Sequence, residues 1–337
     1  MKTVSIVIPS RNEEAHIERC LDSIVVSTYP KELISVEVCE GNSKDKTPSI
    51  IRSYQEKYPY IHYVYNEKIN TPCGVNLGIK SSKSDIVIIL WAHSFIAPDY
   101  IENSVRFLED HPEIACVGGT VENWYSGQIS KVIGFALSQP FGVGASYFRT
   151  GSKEGFVDTV SFAAYRREVF DKVGNFDTHL IRNSDDEFNF RLRQSGEEIY
   201  LSKSLKSFYA VRNTFQKFFD QYYQYGYWKV YVNKKHHQIT TSRQLIPFFF
   251  VCFLFVGLIW SLFSATALIA YVSINILYLL LGFIVTFKKK VSLRVRMKMV
   301  AAFIILHVSY GSGYANGIGD FVISRKQPNR KMGESTR

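Results

Sequence analysis

The chain has 337 residues, of which 46% are hydrophobic, so it is long enough to bury a core without disulfides. Its five cysteines follow neither a Cys-x-x-Cys nor a Cys/His spacing, which argues against a disulfide framework or a zinc site and fits a reduced, cytoplasmic compartment. The formal net charge of +10 fits nucleic acid, an anionic membrane or phosphate-bearing substrates, and its distribution must choose among them.

Short apolar runs alternate with helical patterns in the N-terminal part of the chain. Residues 3–8 predict a strand, and after the polar stretch 9–14 apolar residues recur at helical spacing. The run 35–39 is followed in the same way by a polar stretch and a helical pattern, and further strands are predicted at 62–65 and 86–90. Buried strands that alternate with helices are typical of a parallel, doubly wound α/β sheet.

Polar side chains follow three of these strands, in residues 11–14, 40–45 and 91–94. Ligands of such sheets bind outside the carboxyl ends of the strands, so the three segments are expected to border one crevice. Their acidic and amide groups suit a ribose, a base edge or a metal, although ordinary helix capping explains each segment taken alone. No glycine-rich dinucleotide or phosphate-loop motif follows the first strand, which argues against an oxidoreductase or a P-loop NTPase.

Three carboxylates stand together much later in the chain, at Asp185, Asp186 and Glu187, just before a helical pattern. The helix dipole stabilises acidic residues at a helix start, which is a sufficient structural explanation for them. A carboxylate is also what a general base requires, provided that the fold brings it back to the crevice. The residues alone leave both interpretations open.

The segment 244–287 contains no Asp, Glu, Lys or Arg and is rich in Phe, Leu, Ile and Val. Because a helix needs about 20 apolar residues to cross a bilayer, we predict a transmembrane hairpin with spans at about 245–263 and 267–287. Basic residues flank both ends, which by the positive-inside rule places both ends in the cytoplasm. A buried helical pair of a soluble protein is the alternative.

A further apolar stretch, 299–323, is interrupted by His307 and several glycines. We predict an interfacial or re-entrant segment there, because a full crossing would carry the basic residues that follow it to the outer side. Between Lys288 and Lys298 there are six basic residues and no acidic one. Basic residues beside membrane spans indicate membrane lipids rather than nucleic acid as the partner, with a solvated charged face as the alternative.

Several motifs together resemble the inverting, GT-A-fold glycosyltransferases of family 2, and among them the membrane-anchored succinoglycan type. Residues 5–14, SIVIPSRNEE, are similar to the family's first strand and nucleotide loop. Residues 40–47, EGNSKDKT, resemble its Asp-Gly-x-Ser-x-Asp-x-Thr element, with glutamate in place of the first aspartate. The stretches 138–144, 157–160 and 165–170 resemble the subgroup's signature region. The resemblance implies an α/β GT-A (Rossmann-like) nucleotide-sugar domain with a mostly parallel central sheet, followed by the C-terminal transmembrane hairpin.

The resemblance also implies the roles of individual residues. Asp185 matches the aspartate of the family's Glu-Asp motif, the expected general base, whereas Ser184 replaces the glutamate. Asp186 or Glu187 would then supply the second carboxylate. The nucleotide pocket would contain Pro9, Arg11, Glu13, Glu40 and Asn42, with Asp45 near the base or the phosphates.

The largest departure from the family is at Trp91-Ala92-His93, where the family has Asp-x-Asp and this subgroup tends to Asp-x-His. The first acid has become Trp91. His93 matches the metal-ligating position, and an imidazole can bind a divalent cation, which implies manganese or magnesium held by one protein ligand. Two alternatives remain: His93 hydrogen-bonds the diphosphate directly, or the protein is a catalytically weakened member.

The function implied is transfer of one sugar, with inversion, from a nucleotide-sugar donor to a lipid-linked (polyprenyl-diphosphate) saccharide acceptor in cell-surface polysaccharide biosynthesis. Residues 1–228 would form the cytoplasmic catalytic domain and residues 229–337 the anchor region of a multi-pass cell-membrane protein. Single addition is expected because Tyr227 stands where processive synthases have arginine, and one hairpin cannot form a polymer channel. The alternatives are a polyprenyl-phosphate sugar synthase and a membrane scaffold of a polysaccharide assembly complex.

Overall fold

The computed structural model describes residues 1–328, and the contacts within the chain define two compact units. Among the described residues, the first contains 1–124 and 147–210, and the second contains 125–146 and 211–328. The predicted boundary after residue 228 stays a prediction, because contacts alone define these units.

Helices and strands alternate through the first unit, and helices make up the second. In chain order they are β1 (Val4–Ser10), α1 (Ile17–Val25), β2 (Ile34–Glu40), α2 (Thr47–Lys57), β3 (Ile61–Tyr65), α3 (Thr71–Ser81), β4 (Ile86–Ile89), β5 (Ser94–Ile96), α4 (Tyr100–Asp110), β6 (Ile114–Trp124), α5 (Gln128–Leu137), α6 (Pro140–Val143), α7 (Tyr147–Thr150), β7 (Gly155–Phe156), β8 (Ser161–Arg166), α8 (Glu168–Val173), α9 (Ser184–Gln194), β9 (Glu198–Ala210), α10 (Phe215–Lys235), α11 (Ile246–Ser261), α12 (Ala265–Thr286) and α13 (Leu293–Gly317).

The strands of the first unit form one sheet in the order β3-β2-β1-β4-β8-β6-β9-β5, with β7 paired to β9. β1 pairs in parallel with β2 and β4, and β2 pairs in parallel with β3. β6 pairs in parallel with β9, whereas β8 runs antiparallel between β4 and β6. The carboxyl ends of β1, β2 and β4 therefore meet at one edge, as the sequence predicts for a doubly wound sheet.

The core of this unit explains why β1 is a continuous apolar run. Val4, Ile6, Val7 and Ile8 are all fully buried, because helices cover both faces of a parallel sheet. α3 lies so close to β1 that a Cβ on Gly78 would stand 2.4 Å from Val7 Cγ1. A glycine is required at that contact, since any larger residue would push the helix off the strand.

In the second unit, α10 and α13 pack backbone against backbone. A Cβ on Gly226 would stand 2.0 Å from the Tyr310 carbonyl oxygen, and one on Gly313 would stand 2.0 Å from the Tyr223 carbonyl oxygen. Small residues that admit such close approach are typical of helix contacts in membranes. The stretch 299–323 is helical throughout, and its predicted place at the membrane interface stays a prediction.

The two predicted apolar helices are present in the described chain. Ser242–Ser261 and Ala265–Thr286 are long and apolar enough to cross a membrane, judged by length and composition. Only 6% of each apolar window is buried within the structure, which argues against a helical pair in a soluble core. Ser264 begins α12 as its N-cap, where its Oγ accepts the Ala267 N–H at 3.3 Å.

The segment 125–146 belongs to this helical unit. His307 Nδ1 lies 2.8 Å from the Tyr278 hydroxyl, and His307 Nε2 lies 3.1 Å from the Gly142 carbonyl oxygen. The Phe141 ring packs edge-on against Phe303 at 5.0 Å between centroids. Part of the sequence signature, 138–144, is thus packed among α12 and α13.

Candidate active site

The polar loops after β1 and β2, residues 11–14 and 40–47, are joined by hydrogen bonds and are termed the paired loops. Asn12 N–H donates to Ser43 Oγ at 2.8 Å, and Lys44 N–H donates back to Asn12 Oδ1 at 2.9 Å. Glu14 N–H donates to Asp45 Oδ2 at 3.1 Å. The sequence prediction that these segments border one crevice therefore agrees with their placement.

Asp45 closes the paired loops through its carboxylate. Its second oxygen, Oδ1, accepts the Thr47 N–H at 3.0 Å, which also satisfies a backbone donor at the start of α2. Burial raises the pKa of Asp45, but hydrogen bonds from Thr47 and Glu14 outweigh burial and hold the pKa below its ordinary value. Both oxygens thus serve the loop, and a contact of Asp45 with a base or phosphates stays a prediction.

Glu40, at the end of β2, is 1% exposed and holds the turn that follows it. Its Oε1 accepts the Ser43 N–H at 2.6 Å, and its Oε2 accepts the Asn42 N–H at 3.1 Å. The Tyr63 hydroxyl also donates to Oε2, at 3.0 Å. Because it accepts three hydrogen bonds, the buried carboxylate holds this turn whether or not Glu40 also contacts a nucleotide.

Three asparagines at the turns of the site adopt left-handed backbone conformations. Asn12, Asn42 and Asn183 have φ values of 53°, 56° and 59°. Asparagine tolerates this region better than other non-glycine residues because its short amide can bond locally. An asparagine just after a strand or just before a helix is the sequence signal for these turns.

His93 and Glu13 form a pair across two of the predicted loops. His93 Nδ1 lies 2.8 Å from Glu13 Oε1, and the Glu13 side chain is 8% exposed. A carboxylate on one ring nitrogen fixes the imidazole and directs the other, Nε2, toward a ligand. Of the other predicted pocket residues, Arg11 is exposed beside Gly41, and Pro9 is half-buried in β1.

Trp91, where the resemblance places an acid, packs against the apolar core. It is half-buried against a cluster that includes Val7, Phe176 and Phe188. Its carbonyl oxygen accepts the Ser94 N–H at 2.9 Å, which shapes the turn into β5. An indole supplies no oxygen ligand, so this position contributes packing in place of a carboxylate.

Asp185 lies in the first turn of α9, and the buried face of that helix fixes its position. Phe188 stacks on Phe176 with ring centroids 4.3 Å apart. Next to it, Asn189 Oδ1 accepts the Tyr165 hydroxyl at 2.9 Å. Both Phe188 and Asn189 are fully buried, so α9 has little freedom to slide or turn.

The three carboxylates of this turn have different surroundings. Glu187 is fully buried and accepts Arg191 Nε at 2.9 Å, so it serves the helix and is a poor candidate for the second carboxylate. Asp186 is half-buried beside Asp185. Burial raises the pKa of Asp185, the negative charge of Asp186 raises it further, and backbone hydrogen bonds and Arg149 oppose them.

One electrostatic interaction and two ring contacts connect Asp185 to the His93–Glu13 pair. The charge of Arg149, in α7, acts on Asp185, and the guanidinium carbon of Arg149 lies over the Tyr209 ring at 5.2 Å from its centroid. Tyr209 meets His93 edge-on, with ring centroids 5.6 Å apart. The register of β5 and β9, which pairs Ser94 with Tyr209, places these rings together.

Neither Arg149 nor Tyr209 was predicted from the sequence. Arg149 lies in a helix of four residues with no recognised motif, and Tyr209 lies on a strand whose partners are remote in sequence. The arrangement places a carboxyl of raised pKa, a cation and a histidine on one connected part of the site. These groups can accept a proton and stabilise negative charge, which is the chemistry of group transfer to a hydroxyl.

Comparison with known proteins decides the class. The model of the family described as glycosyl transferase family 2 matches residues 5–174. The chain belongs to glycosyl transferase family 2. It is therefore a glycosyltransferase, as the sequence motifs predicted.

Two relatives cover most of this glycosyltransferase. The dolichyl N-acetyl-alpha-D-glucosaminyl phosphate 3-beta-D-2,3-diacetamido-2,3-dideoxy-beta-D-glucuronosyltransferase of Methanococcus voltae is 34% identical over 238 residues, which are 67% of this chain and 72% of that protein. The succinoglycan biosynthesis protein ExoA of Rhizobium meliloti (strain 1021) is 29% identical over 246 residues, which are 72% of this chain and 73% of that protein. The second relative agrees with the succinoglycan-type resemblance.

A solved structure supports the fold of the glycosyltransferase. The mannosyltransferase PcManGT of Pyrobaculum calidifontis, solved with GDP-Man and Mn2+, aligns with a TM-score of 0.62 over 92% of this chain and 87% of that chain. The two sequences are 18% identical, so the likeness concerns the fold alone. It confirms the predicted GT-A-like α/β fold.

Few of the described side chains of this family 2 enzyme stand together as possible ligands of a divalent cation. Among residues 1–328, no three His, Cys, Asp or Glu side chains form a group able to hold a metal. The His93–Glu13 pair supplies a nitrogen ligand with a carboxylate behind it, an arrangement common to metal-bound histidines. The residues therefore fit a cation that takes most of its ligands from phosphate oxygens and water.

Proposed function

We propose that this glycosyltransferase moves one sugar, with inversion, from a nucleotide-sugar donor to a lipid-linked saccharide at the cytoplasmic face of the cell membrane, in cell-surface polysaccharide biosynthesis. One observation carries the proposal. Asp185, whose pKa burial raises, is connected through Arg149 and Tyr209 to the ring of His93, which lies in the turn between β4 and β5. A proton acceptor and a site for the departing diphosphate then lie on one cleft.

On the donor side, the paired loops would form the nucleotide pocket. Glu40 and Asp45 hold the loop backbone through their carboxylates, while Arg11 and Asn42 are exposed beside it. An exposed arginine suits a phosphate oxygen, and an amide suits a ribose or a base edge. We therefore assign direct donor contacts to Arg11 and Asn42, with Pro9 and Glu13 lining the pocket.

Manganese or magnesium, when bound at His93, would offset the charge of the donor diphosphate. The Pyrobaculum neighbour, solved with Mn2+, supports cation use within this fold. Glu13 would keep the His93 ring in place through the 2.8 Å contact to Nδ1. Trp91 supplies no ligand, so His93 would be the protein's contribution to the cation.

In the transfer step, Asp185 takes the proton of the acceptor hydroxyl as its oxygen bonds to the anomeric carbon. The bond from that carbon to the donor diphosphate breaks on the opposite face, which inverts the configuration. A base whose pKa is raised toward the working pH accepts a proton more effectively than an ordinary aspartate, provided that it is still ionised. Burial raises the pKa of Asp185, and the negative charge of Asp186 beside it adds to the rise.

A lipid-linked acceptor follows from the helical unit. Two exposed apolar helices would anchor the protein, and the run Lys288 to Lys290 would lie at the level of anionic headgroups. The name of the Methanococcus relative describes an acceptor of the dolichyl sugar phosphate type. The number of phosphates in the acceptor and the choice between a lipid-linked sugar and a bare polyprenyl phosphate are left to experiment.

The test uses the full-length protein in detergent micelles. It is incubated with a panel of nucleotide sugars and, in separate arms, polyprenyl-diphosphate-linked sugar, polyprenyl-phosphate-linked sugar or polyprenyl phosphate, and products are read by mass spectrometry. We expect one added sugar in an arm with a lipid-linked sugar and none with Asp185→Asn. Product only with polyprenyl phosphate would overturn the acceptor class, and normal turnover by Asp185→Asn would remove the base. Asp110→Asn, at an exposed position, is the matched control.

A further inference from the structure

Arg149 occupies a position in the site that the transfer reaction makes significant. On one side its charge acts on Asp185. On the other its guanidinium lies over Tyr209, whose ring meets His93. If Asp185 is the base and His93 marks the diphosphate, as proposed above, the reacting sugar lies between them, and Arg149 lies at that same place.

The contact with Tyr209 places the guanidinium carbon of Arg149 over an aromatic ring. A guanidinium carries a fixed positive charge and five N–H donors, and an aromatic ring attracts that charge. The ring is itself held by the pairing of β5 with β9, where Ala210 N–H donates to the His93 carbonyl oxygen at 3.0 Å. Tyr209 thus helps to fix where the cation lies.

The charge balance of the site favours an anionic group of the donor beside Arg149. Trp91 stands where the resemblance places an acid, so the site lacks one negative charge that would repel a substrate anion.

We propose that Arg149 binds an oxyanion of the nucleotide-sugar donor, held in place by Tyr209, and that it is a catalytic residue of this transferase. Two sources of that oxyanion share the same chemistry: the diphosphate itself, and the carboxylate of an acidic sugar attached to it. Arginine binds either one through two parallel N–H donors. The proposal rests on the function proposed above, and binding measurements without an acceptor keep the two separable.

The experiment is calorimetry on the full-length protein in micelles with Mn2+, comparing wild type, Arg149→Gln, Arg149→Lys and the control Arg193→Gln. Arg193 is an exposed arginine on α9, so the control removes the same charge. The ligands are UDP, UDP-glucose and UDP-glucuronate, and GDP, GDP-mannose and GDP-mannuronate. Binding of the series that wild type binds more tightly, UDP or GDP, is then measured for every variant.

We expect Arg149→Gln to weaken binding about ten- to a hundredfold for at least one ligand, the loss typical of one charge-assisted hydrogen-bonded contact. An equal loss for all three ligands of a series identifies the diphosphate as the oxyanion. A loss confined to the uronate ligand identifies the sugar carboxylate. Arg149→Lys keeps the charge without the planar pair of donors, so it should lose less than Arg149→Gln but more than the control.

Binding by Arg149→Gln and Arg149→Lys that equals binding by Arg193→Gln for all ligands overturns the proposal while leaving the transferase intact. If wild type binds no ligand of either series, both this proposal and the proposed function fail. Thermal unfolding midpoints show which variants are folded. If Arg149→Gln is not folded, the binding measurements on Arg149→Lys decide the outcome.

The pH dependence of turnover gives a readout that a merely structural arginine would not move. The positive charge of Arg149 lowers the pKa of Asp185, so its removal raises that pKa. The acid limb of the kcat profile should therefore move to higher pH in Arg149→Gln and stay in place in Arg193→Gln. A uniform fall in rate with an unmoved limb would contradict an arginine at the reacting centre.

Discussion

In the paired loops, carboxylates accept hydrogen bonds from the protein's own backbone, whereas in the first turn of α9 Asp185 lies half-buried beside a second carboxylate. Asp45 and Asp185 carry the same side chain, yet their pKa values move in opposite directions. Donors from Thr47 and Glu14 favour the charged form of Asp45, and burial with a like charge disfavours that of Asp185.

The difference in pKa distinguishes a carboxylate that holds a loop from one that takes part in the reaction. A carboxylate whose oxygens are occupied by backbone donors fixes a loop and is a poor proton acceptor. A carboxyl whose pKa is raised, and which faces a cation, can take up a proton and release it. Each prediction below tests whether the two regions differ in this way.

The largest effect is expected at Asp185. Asp185→Asn should lower kcat by about 10²–10⁴-fold, the usual contribution of a general base, because the amide cannot accept the hydroxyl proton. Binding of a nucleoside diphosphate, measured by calorimetry, should stay close to that of wild type. A variant that loses binding and rate together would place Asp185 in the donor pocket instead.

Glu40→Gln should affect stability first. Glutamine would turn an NH2 group toward N–H and O–H groups whose hydrogen bonds the buried carboxylate accepts. We therefore expect a loss of about 2–3 kcal/mol in the free energy of unfolding. Thermal unfolding in detergent measures it, with the exposed Glu56→Gln on α2 as the matched control. Unchanged stability with a loss of donor binding would make Glu40 a nucleotide ligand rather than a loop holder.

Asp45→Asn should cost less, about 1 kcal/mol at pH 7, because Asp45 is only half-buried. The sign of its pH dependence follows from the lowered pKa. The carboxylate stabilises the fold above the unfolded pKa of about 3.9, and this contribution is lost as pH falls through the lower folded pKa. The unfolding midpoints of wild type and variant should converge as the pH falls into the acid range. A difference that stays constant with pH would show that the negative charge of Asp45 does not stabilise the fold.

The smallest effect is expected at Asp186. Its negative charge raises the pKa of Asp185, so Asp186→Asn should move the acid limb of the kcat profile to lower pH while largely preserving the maximal rate. A loss of rate as large as that of Asp185→Asn would transfer the role of base to Asp186. An unmoved limb would show that burial alone sets the pKa of Asp185.

Much of the site's first region could be predicted from sequence. The strand patterns give parallel neighbours, and parallel neighbours bring Asn12, Glu40 and His93 to one edge without further information. The motif around Asp185 identified the base candidate. The pairing of Glu187 with Arg191 was open to prediction as an i, i+4 ion pair, yet only the structure showed that Glu187 is fully buried.

Sequence by itself determined the fold class, the two apolar helices and the candidate base, because these depend on periodicity, length and local motifs. Only the tertiary structure decided that Arg149 and Tyr209 join Asp185 to His93, and that residues 125–146 pack with the helices. The physical reason is the range of the contacts. The β5–β9 pairing sets Tyr209 beside His93 across a separation of more than a hundred residues, and no local pattern encodes which remote strands will be neighbours.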